Sequence, residues 1–275
     1  MSLAEKYGPW ALIAGASEGI GEAFAMQLAT QGINLVLLSR STEKLAALQR
    51  KLASSSDVQT RQLAVDLCDD NLMDVVAPAC DDIEIGMLVY NAGAVHGADL
   101  FLDDPLEKAL GLVALNCRGP VLLAHHFGQG MRSRGRGGMI FLSSMAALAG
   151  GSYIATYAAT KSFDIVFAQS LWHEMASVGV DVLGLVAGAT KTPAMAASGL
   201  DFETGNSQFQ PMEPEEVARE GLEQLGSGPI WVAGAANRAG AEIFSSLSRR
   251  ELIEAMSQST ATMYDKDYRP VSESE

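Results

Sequence analysis

Short apolar runs bounded by turn residues alternate along this chain with longer segments of helical period. The runs are Trp10 to Ala14, Asn34 to Ser39, Arg61 to Val65, Gly86 to Tyr90, Met139 to Ser143, Asp181 to Val186 and Ile230 to Ala233, which predicts seven strands. Helical patterns fall near 19–31, 42–54, 69–79, 104–134, 155–178 and 214–226, with Pro105 and Pro120 marking starts or kinks in the fourth. Strands that alternate with helices require βαβ crossovers and so a parallel sheet covered on both faces. The runs LVLL, IFL and VLGLV are apolar at every position, as strands buried on both sides must be. The predicted fold is α/β, a Rossmann-type doubly wound sheet of about seven strands in a single domain, with residues 1–234 as its main body and 235–275 as its C-terminal helical extension.

Two regions break the alternation. Residues 188–213 carry Gly188, Gly199, Gly205 and Pro211, which suits a mobile loop over a pocket. Residues 235–275 contain S-R-R-E at Ser248 to Glu251, a capping box opening an amphipathic helix with Leu252, Ile253 and Met256, and end in a segment expected to fray. The 24 uncharged residues between Arg136 and Lys161 are long enough to span a bilayer. They include Ser143, Ser144, Tyr153 and Tyr157 and are broken by Gly150 and Gly151, so the reading is strand, loop and helix start.

The chain has 275 residues and a formal net charge of −14. No dense basic run is present to neutralise phosphates, which argues against nucleic acid and against an anionic membrane surface. Cys68, Cys80 and Cys117 have neither a disulfide nor a zinc spacing, and the N-terminus lacks a signal-peptide cleavage pattern, so a cytoplasmic protein is expected. His125 and His126 are adjacent and point about 100° apart on a helix, which disfavours a metal site. His96 could equally reach a pocket or lie at the surface.

The first strand ends in G-A-S-E-G-I-G, which places Gly15, Ser17, Gly19, Ile20 and Gly21 at a strand-to-helix turn. Glycines there let backbone N–H groups approach a phosphate, and the helix N-terminus adds positive partial charge. Where a carboxylate would hold an adenosine ribose at the end of the second strand, Ser39 and Arg40 stand instead, and a guanidinium pairs with the extra phosphate of NADP. Arg40 makes NADP(H) the preferred cofactor, with NAD(H) possible. Tyr157 and Lys161 lie four apart and share one helix face, and of the six tyrosines only Tyr157 has a lysine at that offset. A nearby ammonium favours a phenolate, which a general acid/base needs.

With these residues the chain resembles the short-chain dehydrogenase/reductase family over about residues 8–234. Gly15, Gly19 and Gly21 match its glycine pattern, Asp66 with Leu67 its adenine-contacting position, Asn91-Ala92-Gly93 its N-A-G motif, Asn116 its helix asparagine, Ser144 its serine, and Tyr157 with Lys161 its Y-x-x-x-K. The resemblance implies that Tyr157 exchanges a proton with the substrate oxygen while Ser144 holds that oxygen. It also implies that Lys161 binds the nicotinamide ribose and Asn116 fixes a water. Ala187-Gly188 replaces the family's Pro-Gly, implying a looser turn that keeps its backbone contacts, with Thr190 and Thr192 following it at the cofactor. Glu18 stands where many NADP-using members carry a basic residue, which speaks against a 2′-phosphate although Arg40 remains.

The opening K-Y-G-P-W-A-L-I-A-G-A-S-E-G-I-G and the later N-L-V-L-L-S-R-S are similar to the branch of 17β-hydroxysteroid dehydrogenases and very-long-chain 3-oxoacyl reductases. This implies a soluble oxidoreductase acting on an apolar ketone or secondary alcohol, with a 3-oxoacyl-thioester reductase as the alternative and a non-catalytic NADP-binding sensor as the further one. Phe163, Ile165, Val166, Phe167, Leu171 and Trp172 cover most of the circumference of the 155–178 helix. Such a helix is covered on both sides, either by a partner in a homodimer or homotetramer or by a roof from 235–275.

Overall fold

The computed structural model describes residues 2–93, 97–198, 211–268 and 270. Seven strands, β1 (Trp10–Ala14), β2 (Asn34–Ser39), β3 (Thr60–Ala64), β4 (Ile85–Tyr90), β5 (Gly137–Ser144), β6 (Val180–Ala187) and β7 (Ile230–Val232), form one sheet. Their order is β3-β2-β1-β4-β5-β6-β7, and every neighbouring pair is parallel.

The helices are α1 (Leu3–Tyr7), α2 (Gly19–Thr30), α3 (Thr42–Ser55), α4 (Leu72–Val76), α5 (Leu106–Val113), α6 (Gly119–Arg134), α7 (Ala155–Ala176), α8 (Pro193–Ala197), α9 (Pro214–Gln224), α10 (Ala235–Ser246) and α11 (Arg249–Met263). No helix among the described residues is long and apolar enough to cross a membrane.

Strand alternation divides the core into two layers. Ala11, Ile13, Leu35, Leu37, Val89 and Leu185 point to one face, where α2, α3 and α9 deliver Phe24, Leu28, Leu48 and Val217. Leu12, Ala14, Val36, Leu38, Leu88 and Phe141 point to the other, against Leu123 and Phe127 of α6 and Ala168 and Met175 of α7. The sheet is buried on both sides, as its uninterrupted apolar strands require.

The elements depart from the sequence reading in a few places. β3 starts one residue earlier than expected, since T-R-Q-L-A at the sheet edge is only half-buried and gives no clear apolar period. The segment near 69–79 shortens to α4 and a 3-10 turn at Pro78–Cys80, because Pro78 cannot donate into a continuing helix. The 104–134 segment begins after Pro105 and carries a π-type turn at Ala114–Arg118 just before Pro120. Capping boxes at Ser2 and Ser248 open α1 and α11, of which only the second was expected.

The C-terminal helices do not roof α7. α10 packs on the turn at Met145–Leu148, and Leu252 and Met256 of α11 cluster with Ala149. Ser257 Oγ accepts a hydrogen bond from the Ser152 amide at 3.0 Å, which fixes α11 over the β5–α7 connection. Val166 on α7 remains 61% exposed.

Phe24 is wholly buried and spans from α2 to the glycine of α9 at Gly221. Phe24→Ala is expected to lower unfolding free energy by about 3–5 kcal/mol, read as a lower denaturant midpoint at unchanged slope.

Candidate active site

A cleft of about 590 Å³ opens at the C-terminal ends of β1, β2, β4, β5 and β6. Its place follows from topology. The connection from β1 runs to α2 on one face and that from β4 to α5 and α6 on the other, so a crevice opens between them at the strand-order switch.

The β1–α2 turn forms the floor. The amides of Gly15 and Ala16 donate to the Leu38 carbonyl of β2 at 2.9 and 3.0 Å, which pins the turn to the sheet. Gly15 has φ of +79°, and a Cβ there would lie 2.8 Å from Ala92 Cα. A Cβ on Gly21 would lie 2.0 Å from the Gly15 carbonyl oxygen, so α2 leaves the turn as closely as it does only because that position is glycine. Asn91 Nδ2 donates to the same carbonyl at 2.9 Å and ties the N-A-G turn after β4 to it. Across the cleft, Thr192 packs on Gly19, where a Cβ would meet its methyl at 2.9 Å.

At the β2 end, Ser17 and Ser39 share a hydrogen bond of 2.8 Å. Arg40 lines the cleft, is exposed, and has no hydrogen bond or ion pair with a described residue. The carboxylate of Glu18 is engaged by Lys44 of α3, which neutralises the charge that spoke against a 2′-phosphate. Asp66 Oδ1 accepts from the Cys68 amide at 2.9 Å and so shapes the loop beyond β3, with Val65 and Leu67 as apolar wall.

At the other end, Ser144 closes β5 and Tyr157 and Lys161 stand on α7, all three on the cleft lining. Ser144 Oγ accepts from the Ala146 amide at 3.2 Å, which orients the hydroxyl at the strand end. Lys161 is almost fully buried; its Nζ donates to the Leu142 carbonyl at 2.8 Å and to Asp164 Oδ2 at 3.0 Å. Burial works against its charge, but the facing Asp164 carboxylate outweighs it and holds the ammonium above its usual range.

Asn116 lies behind this group, in the π-type turn rather than in regular helix. Its Nδ2 donates to Thr160 Oγ1 at 2.9 Å, and Thr160 in turn donates to the Tyr157 carbonyl. The Oδ1 atoms of Asn116 and Asn91 are buried without a hydrogen-bond partner among the described residues.

Of the residues singled out from the sequence, Gly15, Ser17, Gly19, Ile20, Ser39, Arg40, Asp66, Leu67, Asn91, Ala92, Gly93, Ser144, Tyr157, Lys161, Gly188, Thr190 and Thr192 line the one cleft. Gly21 serves the packing beneath it, and Asn116 stands one layer back. In the turn after β6, Thr190 Oγ1 donates to the Gly188 carbonyl at 3.0 Å, and Gly188 packs on Asn237 of α10.

Sequence reasoning missed Asp164, an isolated acid in the otherwise apolar F-D-I-V-F, and that isolation was the available signal. It also missed Met195, Ala194 and Lys108 on the lining, and Tyr264 of the C-terminal segment, which lies near Ser198 and Tyr157. His96, the 199–210 part of the expected mobile loop, and most of the expected frayed end lie outside the described residues.

The lining fits a dinucleotide. A glycine cradle meets the N-terminus of α2, apolar walls flank a slot beside Asp66, a guanidinium without a partner among the described residues stands at the β2 end, and Asn91 brings a buried amide oxygen likewise without one.

The model of the short chain dehydrogenase family matches residues 9–201. The chain belongs to this family. It is accordingly an NAD(P)-dependent oxidoreductase acting on CH–OH groups. It is 30% identical to a 7beta-hydroxysteroid dehydrogenase of Clostridium sardiniense over 92% of this chain and 96% of that one. It is 36% identical to a very-long-chain 3-oxoacyl-CoA reductase of Podospora anserina, there over 64% of this chain and 53% of the relative.

Among solved structures, one described for 7beta-hydroxysteroid dehydrogenase stereoselectivity superposes with a TM-score of 0.85 at 30% identity, covering 93% of this chain and 99% of that one. A short-chain dehydrogenase from Sphingobium yanoikuyae in complex with NADPH gives 0.75 at 28%, covering 88% and 96%.

Because a methyl at Gly21 would drive into the Gly15 carbonyl, Gly21→Ala is expected to raise the Kd for a nicotinamide dinucleotide by at least about tenfold. Isothermal titration would show it, and wild-type affinity would contradict the packing argument.

Proposed function

We propose that this short-chain dehydrogenase transfers a hydride between NADP(H) and an apolar, hydroxysteroid-like ketone or secondary alcohol. The observation that carries the reading is the meeting of Ser144, Tyr157 and Lys161 at one end of a cleft whose other end presents Arg40.

In this reading Gly15, Ser17, Gly19 and Ile20 cradle the pyrophosphate at the N-terminus of α2. Asp66 and Leu67 flank the adenine, Ser39 and Arg40 take the 2′-phosphate, and Asn91 to Gly93 with Gly188, Thr190 and Thr192 enclose the nicotinamide half. The bound nicotinamide supplies or accepts the hydride. Tyr157 Oη donates a proton to the carbonyl oxygen in reduction and removes it from the alcohol in oxidation. Ser144 Oγ holds the same oxygen, and the Lys161 ammonium stabilises the phenolate that forms after donation. Asn116 Oδ1, buried and without a partner, is placed to accept a hydrogen bond from a water on the proton path.

NADP over NAD is supported by the unpaired Arg40 and by the engagement of Glu18 with Lys44. An uncharged substrate rather than a carrier thioester is supported by Lys191, the only basic residue of the 190–215 segment, whose ammonium is taken up by Glu213. The hydroxysteroid class is supported by the relative that matches over nearly its whole length. Leu106 and Leu110 of α5, 61% and 57% exposed, and Val166 of α7 support a homodimer or homotetramer built on these helices. The free thiols and acidic surface suit the cytoplasm.

Tyr157→Phe is expected to lower kcat by about 10²-fold or more while leaving the NADPH Kd unchanged. Retention of more than a few per cent of the activity would overturn the proton-transfer role. Arg40→Ala is expected to weaken NADPH by about 1.5–3 kcal/mol, or tenfold and more, with NADH little affected. Equal losses for the two cofactors, read by fluorescence titration, would contradict the assignment. Sedimentation at micromolar concentration is expected to give a multiple of the chain mass, and a monomer would count against α5 and α7 as an interface.

A further inference from the structure

Asp164 is a buried carboxylate that proton transfer by Tyr157 does not itself require. It lies one turn beyond Lys161 on α7, only 2% exposed, and is not on the cleft lining. Its Oδ2 accepts from Lys161 Nζ at 3.0 Å, and its Oδ1 has no partner among the described residues. An ammonium has three N–H donors. Leu142 O and Asp164 Oδ2, the latter off the cleft lining, take two of them, which leaves one.

The ionisable groups around the pair come from three elements. Tyr157 shares α7, Cys117 faces it from the π-type turn, and Tyr90 approaches from β4. Burial pushes the Cys117 thiol up to about 11 and the Tyr90 phenol well above its usual range, so neither carries charge near neutrality. Asp164 is therefore the anion that balances Lys161. Burial pushes the Asp164 carboxyl itself up, against the pull of the ammonium. A buried lysine without such a partner loses its proton, in known cases near pH 5–6.

We propose that Asp164 is a positioning residue that anchors the Lys161 ammonium from behind, keeping it charged and aimed with a single N–H toward the cleft. This inference rests on the reading of Tyr157 and Lys161 as the proton-transfer pair and deepens it. Asp164 acts through Lys161 and touches neither substrate nor cofactor. Its removal converts a lysine that stays charged through the working range into one that titrates within it.

The test is a pair of titrations on the full chain. The Lys161 Nζ resonance, in protein labelled with 15N-lysine and assigned by its absence in Lys161→Met, is expected to report an amine that stays charged above the ordinary lysine range in the wild type and to titrate at least about two pH units lower in Asp164→Asn. A wild-type Lys161 that is neutral below about pH 9 would overturn the proposal even if the variant fails to fold, as would identical titrations in the two proteins.

The activity readout is oxidation of a 7β-hydroxysteroid with NADP+. Asp164→Asn is expected to stay within about threefold of wild type near pH 6 and to fall at least about tenfold behind it by pH 9, as a new alkaline limb appears. A uniform loss at every pH would show a merely structural role, and a shift of the acid limb alone would show that Asp164 only opposes the ammonium's field. Either result overturns the proposal. Failure of the underlying reading is seen separately, as an active Tyr157→Phe enzyme beside a Lys161 that still titrates as expected.

Discussion

The connections that leave β1 and β4 run to opposite faces of the sheet, and the site depends on the crevice this opens. A parallel sheet with both faces covered has little other place for a ligand of this size, since the faces are filled by helices and the N-terminal strand ends do not gather the same turns. The crevice becomes a binding site because two approaches are unusually close. α2 rises against the β1 turn with no room for a side chain at Gly21, and the N-A-G turn is drawn onto the same Gly15 carbonyl by Asn91. The ends of β1, β2 and β4 are thereby held together, while Ser144 finishes β5 directly and needs no loop of its own to be positioned.

Electrostatics then divides the cleft into two ends. The chain as a whole is strongly acidic, yet its cleft carries Arg40 at one end and Lys161 at the other, where the proposed reading puts the 2′-phosphate and the reacting oxygen. At the first end Lys44 removes the opposition of Glu18 and leaves Arg40 unpaired. At the second, Asp164 balances Lys161 in a region too dry to hold an ammonium by itself. The pairs differ in kind. The first is an exposed ion pair worth little in stability, whereas breaking the second would leave a charge stranded in the core.

Most of the architecture was legible because its strands are apolar at every position, a pattern that few other elements produce. Legibility failed where that signal weakens. β3 is a half-buried edge strand and was displaced by one residue, and α1 is five residues long. The π-type turn at Ala114–Arg118 is a hydrogen-bond register that no side-chain period announces, so Asn116 was placed on an ordinary helix when it stands in an irregular one. The residues proposed for the site stood out because each is a residue type demanded by its local backbone or chemistry, and the fold brings most of them to one cleft. Asp164 and Tyr264 escaped for the opposite reason: their neighbours are brought to them by packing, Lys161 to the first and Ser198 with Tyr157 to the second, with the C-terminal helices lying over the β5–α7 connection rather than over α7. The turn at Gly188 shows the same limit, since its bracing by Thr190 and Asn237 replaces a proline in a way the local sequence does not disclose.

The central claim is that one cleft both holds the nicotinamide dinucleotide and carries out carbonyl chemistry on it. A single-turnover experiment tests this most directly: the purified chain is mixed with one equivalent of NADPH, and a 7-oxosteroid is then added while nicotinamide fluorescence is followed and the steroid product is identified. The account predicts enhanced fluorescence on binding, its loss after the ketone is added, and formation of the corresponding secondary alcohol. NADPH that binds but persists in the presence of the steroid, of simple apolar ketones and of a 3-oxoacyl-CoA alike would contradict it.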